Sequence, residues 1–331
     1  MITTAARPTR FLRGSRIEFV GRHLGLLSIS VVFVALFVFF SARADAFLTA
    51  DNLVNVARQI APTVVVAMGM TYVITTGAID LSVGSIVGLT ASALALFAQS
   101  GNPVVALVLT LAIGAAIGVI NGALTAFGRL QSFIVTLAAL TAVRGIALLI
   151  TQGYSTPIDS TFLLPLGNGK LLGLYTPTWI AIGAIAIAWY VFTHTRFGRY
   201  IVAVGSNAES LRRSGVDIRR IQMAALVITG VLASVAGIIT ATRLASGSSN
   251  SGTMFELEVI TAVVLGGTSL MGGRGSVIGS AIGALTLGII SNGLVLLQVN
   301  VYWVPIVQGA ILVVAIFLNS KLFSRLVGSR R

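Results

Sequence analysis

Four ionisable residues lie within or beside long apolar stretches of the sequence: Asp80, Arg144, Glu256 and Glu258. A charge inside a membrane is costly, so such residues commonly line a transport pathway, relay ions or form a structural ion pair. Arg144 lies in the middle of its stretch, where pathway lining and structural contacts with a carboxylate or with free carbonyls explain it equally well. Asp80 lies near the end of a stretch, where solvation or capping of the following helix would also suffice.

Neutral polar residues accompany these charges. Asn121 lies among glycines in an apolar stretch, where hydrogen bonding between helices competes with substrate contact as an explanation. Glu256 and Glu258 open an expected helix on the outer side, where acids favour the helix dipole, so at least one of them has a structural explanation. The candidate pathway residues are Asp80, Ser82, Asn121, Arg144, Glu256 and Glu258.

The residues on which most enzymes depend are scarce in this chain. The sequence has no cysteine, which excludes disulfides, thiolate metal sites and cysteine nucleophiles. Neither of its two lysines, Lys170 and Lys321, belongs to the Gly-Lys-Ser/Thr sequence that a phosphate-binding P-loop requires. Its two histidines, His23 and His194, are far apart and lie at expected helix ends. We therefore predict no catalytic residue, no metal site and no cofactor in this chain.

The composition is typical of an integral membrane protein. Hydrophobic residues make up 56% of the 331 residues and charged residues only 9%, against roughly 25% charged residues in soluble chains. A soluble or nucleic-acid-binding globule could not cover its surface with so few charges, despite the net charge of +13. We expect an all-α polytopic membrane protein with about ten transmembrane helices of about 20 residues each. The expected segments are about 24–40, 53–76, 81–98, 103–127, 132–151, 177–193, 221–243, 256–271, 276–297 and 301–319.

Positive charges orient these segments. With the N-terminus placed inside, 17 of the 22 lysines and arginines fall in inner loops and tails, and four fall in outer loops. Cytoplasmic loops carry such an excess, so we expect both termini in the cytoplasm. The first apolar run is longer than the core of a signal peptide, and we expect it to remain as a spanning helix. The predicted organisation is a cytoplasmic tail at 1–23, a transmembrane domain at 24–319 and a cytoplasmic tail at 320–331.

Glycines recur at four-residue spacing in several expected helices. This spacing places small residues on one helix face and lets backbones approach closely, so helix packing explains them without a ligand. The stretches 71–94 and 261–285 also match weakly, with Gly77 opposite Gly267. Either a transporter-type repeat or chance similarity between Gly- and Ala-rich helices accounts for this match. The predicted packing glycines are Gly84, Gly88, Gly114, Gly118, Gly122, Gly275, Gly279 and Gly283.

The longest polar inner loop, residues 194–220, has the pattern of a short helix from about Asn207 to Ser214. Asn207 suits an N-cap, Glu209 favours the helix start, and Gly215 suits the stop. A short helix across the inner face of a membrane protein could be pushed by a motor domain. The alternative is an ordinary surface loop.

The stretch GAIDLSVGS at 77–85 resembles the signature of permease subunits of ribose-, xylose-, arabinose- and galactose-type ABC importers. Five such stretches follow one another at matching spacing over roughly residues 50–320, and branched-chain amino-acid permeases share a looser form of them. The other four are GVINGALTAF (118–127), FIVTLAALTAVRGIALLITQG (133–153), TRFGRYIVAVGSNAESLRRSGVDI (195–218) and LGGTSLMGGRGSVIGSAIGAL (265–285).

The resemblance implies a pore of two permease subunits, identical or closely paralogous, in the bilayer of a bacterial inner membrane. It implies a separate cytoplasmic ABC ATPase that binds the ATP and an extracytoplasmic sugar-binding protein, with no nucleic-acid partner. It also implies that loop 194–220 contacts the ATPase, although the family usually has a more Ala-rich stretch where this chain has Ala208-Glu209-Ser210-Leu211. The implied coupling residues are Gly198, Asn207, Glu209, Arg212 and Gly215.

The function expected from these motifs is ATP-driven import of a monosaccharide or a similar small hydroxylated solute. A branched-chain amino-acid permease would use the same mechanism with another cargo. An ion-coupled secondary transporter would need several paired acids deep in its spans, and an intramembrane enzyme would need a nucleophile with a base or a set of metal ligands. The sequence does not choose among the sugars.

Overall fold

The computed structural model describes residues 11–99, 101–300 and 302–328, and this part of the chain is almost entirely helical. Four two-residue strands form two small antiparallel pairs, β1 with β4 and β2 with β3. The helices are α1 (Phe11–Arg43), α2 (Ala50–Thr75), α3 (Val83–Ala98), α4 (Pro103–Ala126), α5 (Ser132–Thr151), α6 (Pro165–Asn168), α7 (Thr176–His194), α8 (Arg196–Arg213), α9 (Ile218–Arg243), α10 (Phe255–Leu265), α11 (Val277–Leu296) and α12 (Trp303–Gly328). The strands are β1 (Thr156–Pro157), β2 (Lys170–Leu171), β3 (Leu174–Tyr175) and β4 (Ser246–Gly247).

Each expected apolar segment overlaps a helix, but the helices differ in their ability to cross a bilayer. Seven helices in the described residues are long and apolar enough to span, and α3 and the apolar part of α12 are shorter. α10 has 11 residues, which corresponds to about 16 Å of helix against about 30 Å of hydrocarbon. The structure therefore shows a polytopic helical membrane protein, and the count of ten spans stays a prediction.

The ends of the first and last helices differ from the expected segments. α1 begins at Phe11, inside the expected cytoplasmic tail, and α12 continues to Gly328, beyond residue 319. The remaining tail residues, 1–10 and 329–331, lie outside the described residues.

Two helix breaks have the same local structure. After α2, Gly77 has φ +85°, and the backbone N–H groups of Gly77 and Ala78 donate to Ile74 and Val73. After α10, Gly267 has φ +89°, and the N–H groups of Gly267 and Thr268 donate in the same pattern to Val264 and Val263. This pair of bonds is a Schellman motif, which needs a residue with positive φ and therefore favours glycine. The matched glycines of the weak internal repeat thus end two helices in the same way.

Helix α9 lies at the centre of the bundle and packs against α2, α3 and α4. Gly114, Gly118 and Gly122 of α4 face it, and a Cβ added to Gly118 would lie 2.8 Å from the carbonyl oxygen of Leu226. The two backbones are close enough that a methyl group would force them apart. Small residues permit such an approach, which maximises dispersion contact between helices in a bilayer.

A second set of glycines lets α11 pack closely against the end of α10, where the second helix break lies. Gly279 and Gly283 of α11 lie against Gly266 and Ala262 at the end of α10, and Gly275 lies against Thr75. Gly84 and Gly88 of α3 have different neighbours. They face the non-helical residues 249–252, with the Glu256 side chain also at Gly84 and the Arg144 side chain at Gly88.

Large apolar side chains are exposed on α1, α4, α5, α7 and α12, whereas α2, α3, α9 and α11 supply most of the buried core. An apolar exterior of this kind is stable in contact with lipid but not with water. The inner helices are therefore the ones that position the candidate polar residues.

Candidate functional site

Three of the candidate polar residues form one buried hydrogen-bonded chain. Asn121 Nδ2 donates to Ser82 Oγ at 2.9 Å, and Ser82 donates to Asp80 Oδ1 from its hydroxyl at 2.6 Å and from its backbone N–H at 2.9 Å. At most 1% of each residue is exposed. Asp80 Oδ2 is buried and has no hydrogen-bond partner in the described part of the chain. This chain of bonds fastens the start of α3 to α4.

Arg144 forms a second cluster, with backbone carbonyl groups as its partners. Its Nη1 donates to Ser251 O at 2.9 Å and also to Ser249 O. Its Nη2 donates to Gly252 O at 3.1 Å and to Gly84 O at 3.2 Å. Glu256 is the acid beside it, since its Oε2 lies at Gly84, whose carbonyl Arg144 binds. The arginine therefore contacts backbone carbonyls and not Asp80.

Three of these carbonyl groups, those of Ser249, Ser251 and Gly252, belong to the backbone between α9 and α10, which is not helical. Gly84 O belongs to the first turn of α3, and Gly252 O also accepts from Phe255 N at 3.3 Å. β4 and a series of turns occupy residues 246–254. Gly247 lies against Ala91, and Gly252 lies against Gly84, so the segment runs antiparallel along α3. Within a membrane, every backbone polar group needs a partner from the protein or from enclosed water. The five N–H donors of one guanidinium supply several partners at once.

The two glutamate side chains of α10 point to different helices. Both lie in its first turn. Glu258 Oε1 accepts a hydrogen bond from Thr63 Oγ1 of α2 at 2.9 Å. Glu256 points towards α3, where its Oε2 would contact a Cβ placed on Gly84. Glu256 thus lies beside the Arg144 cluster at Gly84, whereas Glu258 and the Asp80 chain lie apart from it. The structure does not gather all six candidate residues into one site.

The inner loop contains the short helix expected there. The backbone of α8 departs from helical geometry at Asn207, with φ −160° and ψ 88°, and Asn207 Oδ1 accepts a hydrogen bond from Ser210 N at 2.9 Å. Gly215 has φ +82°, and its N–H donates to Arg212 O at 3.0 Å. Asn207 is therefore the N-cap of the second half of α8, and Gly215 follows its C-terminus in the left-handed region that glycine favours.

Glu209 lies on the exposed side of this short helix. It forms ion pairs with Arg212 at 2.8 Å and with Arg213 at 3.1 Å. Hydrogen bonds from Arg212 and then Arg213 hold the pKa of the Glu209 carboxyl below its usual range. The carboxylate is consequently ionised at neutral pH, and its ion pairs are lost only as the pH falls through this lowered pKa.

The first half of α8 contacts both helix breaks, which the sequence gave no reason to expect. A Cβ on Gly205 would collide with Thr75 O and with the backbone of Gly273. Gly273 N donates to Thr75 O at 2.8 Å, and Ser206 Oγ donates to Gly273 O at 3.4 Å. The loop is therefore in direct backbone contact with the end of α2 and with the connection between α10 and α11. Gly198, also in this half, packs against the backbone of Phe192.

A comparison with known protein families shows to which family this chain belongs. Residues 52–316 match the family described as branched-chain amino acid transport system / permease component. The chain belongs to this family. The match confirms the superfamily that the sequence motifs indicated. The matched region covers most of the described residues.

Relatives of known function give the comparison more detail. The chain is 41% identical over 298 residues to the ribose import permease protein RbsC of Escherichia coli strain K12, covering 88% of this chain and 92% of the relative. It is 38% identical over 305 residues to RbsC of Bacillus subtilis, covering 91% and 92%. It is 33% identical over 351 aligned positions to the xylose transport system permease protein XylH of E. coli K12, covering 87% and 89%. No solved structure matches the chain.

Proposed function

We propose that this chain is the membrane-spanning permease subunit of a binding-protein-dependent ABC importer for a monosaccharide or a similar small hydroxylated solute. The observation that carries the proposal is the similarity to ribose and xylose permeases over nearly nine-tenths of the chain. It is a transporter subunit, and a separate ATPase subunit hydrolyses ATP.

The cargo is the point on which the family description and the relatives differ. The family description mentions branched-chain amino acids, whereas RbsC and XylH, at 33–41% identity, are ribose and xylose permeases. The named relatives therefore favour a sugar over a branched-chain amino acid as the cargo.

The partners follow from the same proposal. Sugar ABC importer permeases operate with an ATPase and a substrate-binding protein. In this chain the short helix after Asn207 presents Glu209, Arg212 and Arg213 to solvent, and it is the proposed ATPase contact. A second permease subunit would complete the pore in a bacterial inner membrane, with both termini of this chain in the cytoplasm.

The contact of Gly205 with both helix breaks supports this coupling role. Movement of α8 would act directly on the end of α2 and on the connection before α11, because these segments touch through their backbones and no flexible side chain intervenes. Packed backbones of this kind transmit displacement instead of absorbing it.

Uptake in cells expressing the permease with its ATPase and binding protein tests the proposal. We expect accumulation of at least one labelled pentose or hexose from a panel, and no accumulation of labelled leucine. Cells that express the permease without its ATPase should accumulate neither the sugar nor leucine. Uptake of leucine without any sugar would overturn the cargo, and uptake that persists without the ATPase would overturn the mechanism.

A further inference from the structure

The residues between α9 and α10 include a hydroxyl-rich stretch, Ser248-Ser249-Asn250-Ser251-Gly252-Thr253, here named the serine-rich segment. One side of it is buried against α3, and Ser249 is fully buried with an Oγ that has no hydrogen-bond partner in the described residues. The other side is open, because Asn250 and Thr253 are exposed. None of these residues was a candidate from the sequence alone.

The contacts of Arg144 fix the depth of the serine-rich segment. α5 has 20 residues and is long and apolar enough to span a bilayer. Arg144 follows Ser132, the first residue of α5, by 12 positions, which corresponds to about 18 Å along a helix of about 30 Å. Because its guanidinium reaches Ser251 O and Gly252 O at 2.9 and 3.1 Å, the segment lies near the middle of the span.

Non-helical backbone at this depth does not occur in contact with lipid. It is tolerated only where protein buries it or where it lines a water-filled cavity. The exposed edge of the serine-rich segment must therefore face either water or another protein subunit. Its side chains favour water, since Asn250 makes no side-chain hydrogen bond within the described residues, and burial of an unpaired amide in a dry interface would be costly.

We infer that the exposed edge of the serine-rich segment, chiefly Asn250 and Thr253, forms part of the wall of the aqueous sugar route. Arg144 is a positioning residue for this wall, because it holds the carbonyl groups of Ser249, Ser251 and Gly252 from behind. The Asn250 amide donates to and accepts from sugar hydroxyls as a monosaccharide passes, and the Thr253 hydroxyl, which donates to Asn250 O at 2.7 Å, accepts from them. The inference rests on the proposed function and assigns the surface on which its cargo moves.

Cysteine accessibility tests the inference, because the natural chain has no cysteine. Asn250→Cys and Thr253→Cys are made singly in the assembled transporter and treated in membrane vesicles with a charged, water-soluble methanethiosulfonate. The matched control is Ile187→Cys, which places the thiol at an apolar position within α7 that is 68% exposed. Thiolates form readily only where water reaches them, so we expect both test positions to react at least about tenfold faster than the control.

A transport measurement completes the test. Labelling of Asn250→Cys should block uptake, and Asn250→Leu should raise the KM for sugar more than Asn250→Gln does. Reaction as slow as at Ile187→Cys, or cross-linking of Asn250→Cys to a second copy in place of labelling, would overturn the inference. So would rapid labelling that leaves uptake unchanged. Labelling rates do not require transport, so a complex that imports no sugar would contradict the proposed function and still report on accessibility.

Discussion

The side-chain amide of Asn121 in α4 donates a 2.9 Å hydrogen bond to the hydroxyl of Ser82, which immediately precedes α3. The same hydroxyl donates to Asp80, so the break between α2 and α3 is tied to a helix 39 residues further along the chain. All three residues are buried. In this conformation the chain of bonds holds the bundle together and does not face an open route.

Removal of the Ser82 hydroxyl should destabilise the protein. Ser82→Ala leaves Asn121 without an acceptor and Asp80 Oδ1 with only a backbone donor, and each buried group left unpaired costs about 1–3 kcal/mol. We expect a lower melting temperature in detergent. The double variant Ser82→Ala/Asn121→Leu should lose less than the sum of the single losses, because the two residues share one bond. Strict additivity would show that the bond contributes nothing.

Glycine-to-alanine changes should separate tight packing from open space. At Gly118 the new Cβ would lie 2.8 Å from Leu226 O and from the Val227 Cα, and overpacking of this kind costs about 1–3 kcal/mol. At Gly183 of α7, a Cβ would meet nothing within 4 Å, so alanine should be neutral or slightly stabilising through its better helix propensity. Equal melting temperatures for the two variants would contradict the observed approach of α4 to α9.

Much of this architecture could be predicted from the sequence, because apolar length alone locates helices in a membrane chain. The weak repeat also matched Gly77 with Gly267, and these are the two glycines that form Schellman motifs in the structure. Asn207 and Gly215 were recognisable as cap and stop because capping depends on residues close together in the chain.

The features that could not be predicted are those that depend on long-range contacts. The segment expected at 256–271 proved to be helical only as far as Leu265, because Gly266 and Gly267 end α10 while the apolar content continues to Met271. Arg144 was recognised as needing partners, but its carbonyl partners lie 60 to 108 residues away and belong to two serines and two glycines, whose side chains play no part in the contact. The hydroxyl-rich composition of residues 248–253 was the available signal.

Reporter fusions should establish the orientation of the chain. The excess of lysine and arginine on one side predicts that residue 170 lies outside the membrane and residue 205 in the cytoplasm. We expect alkaline phosphatase to be active after residue 170 and inactive after residue 205, and a cytoplasmic reporter to show the reverse. The opposite pattern at both positions would invert the proposed topology.

Changes in the short helix of the inner loop should uncouple ATP hydrolysis from transport. Glu209→Lys removes the ion pairs with Arg212 and Arg213 and reverses a surface charge, and Gly215→Val places a β-branched residue at φ +82°, where such residues are strained. We expect normal membrane insertion, weaker pull-down of the ATPase and reduced sugar uptake. If neither variant alters pull-down or uptake, this loop is not the ATPase contact.

Gly205→Ala provides the matched comparison for that loop. Its Cβ would enter the contact with Thr75 and Gly273 and leave the exposed helix after Asn207 untouched. Pull-down of the ATPase should therefore be retained while uptake falls. Loss of pull-down with Gly205→Ala would indicate that the whole of α8 forms the docking surface, contrary to the division into two halves at Asn207.

Substitutions of Arg144 should show whether carbonyl binding accounts for its position near the middle of the membrane. Lysine keeps the charge but offers three donors from one point, whereas the planar guanidinium reaches four carbonyls. Arg144→Lys should therefore keep part of the stability and part of the uptake, and Arg144→Ala should lose both, because each unpaired buried carbonyl costs about 1–3 kcal/mol.

Since Asp80 does not contact Arg144, the loss of stability in Arg144→Lys/Asp80→Asn should equal the sum of the single losses within about 0.5 kcal/mol. Rescue by the double variant would instead reveal an ion pair between Arg144 and Asp80. If the Arg144→Ala protein keeps the stability and uptake of the unsubstituted chain, residues 249–252 need no support from this side chain.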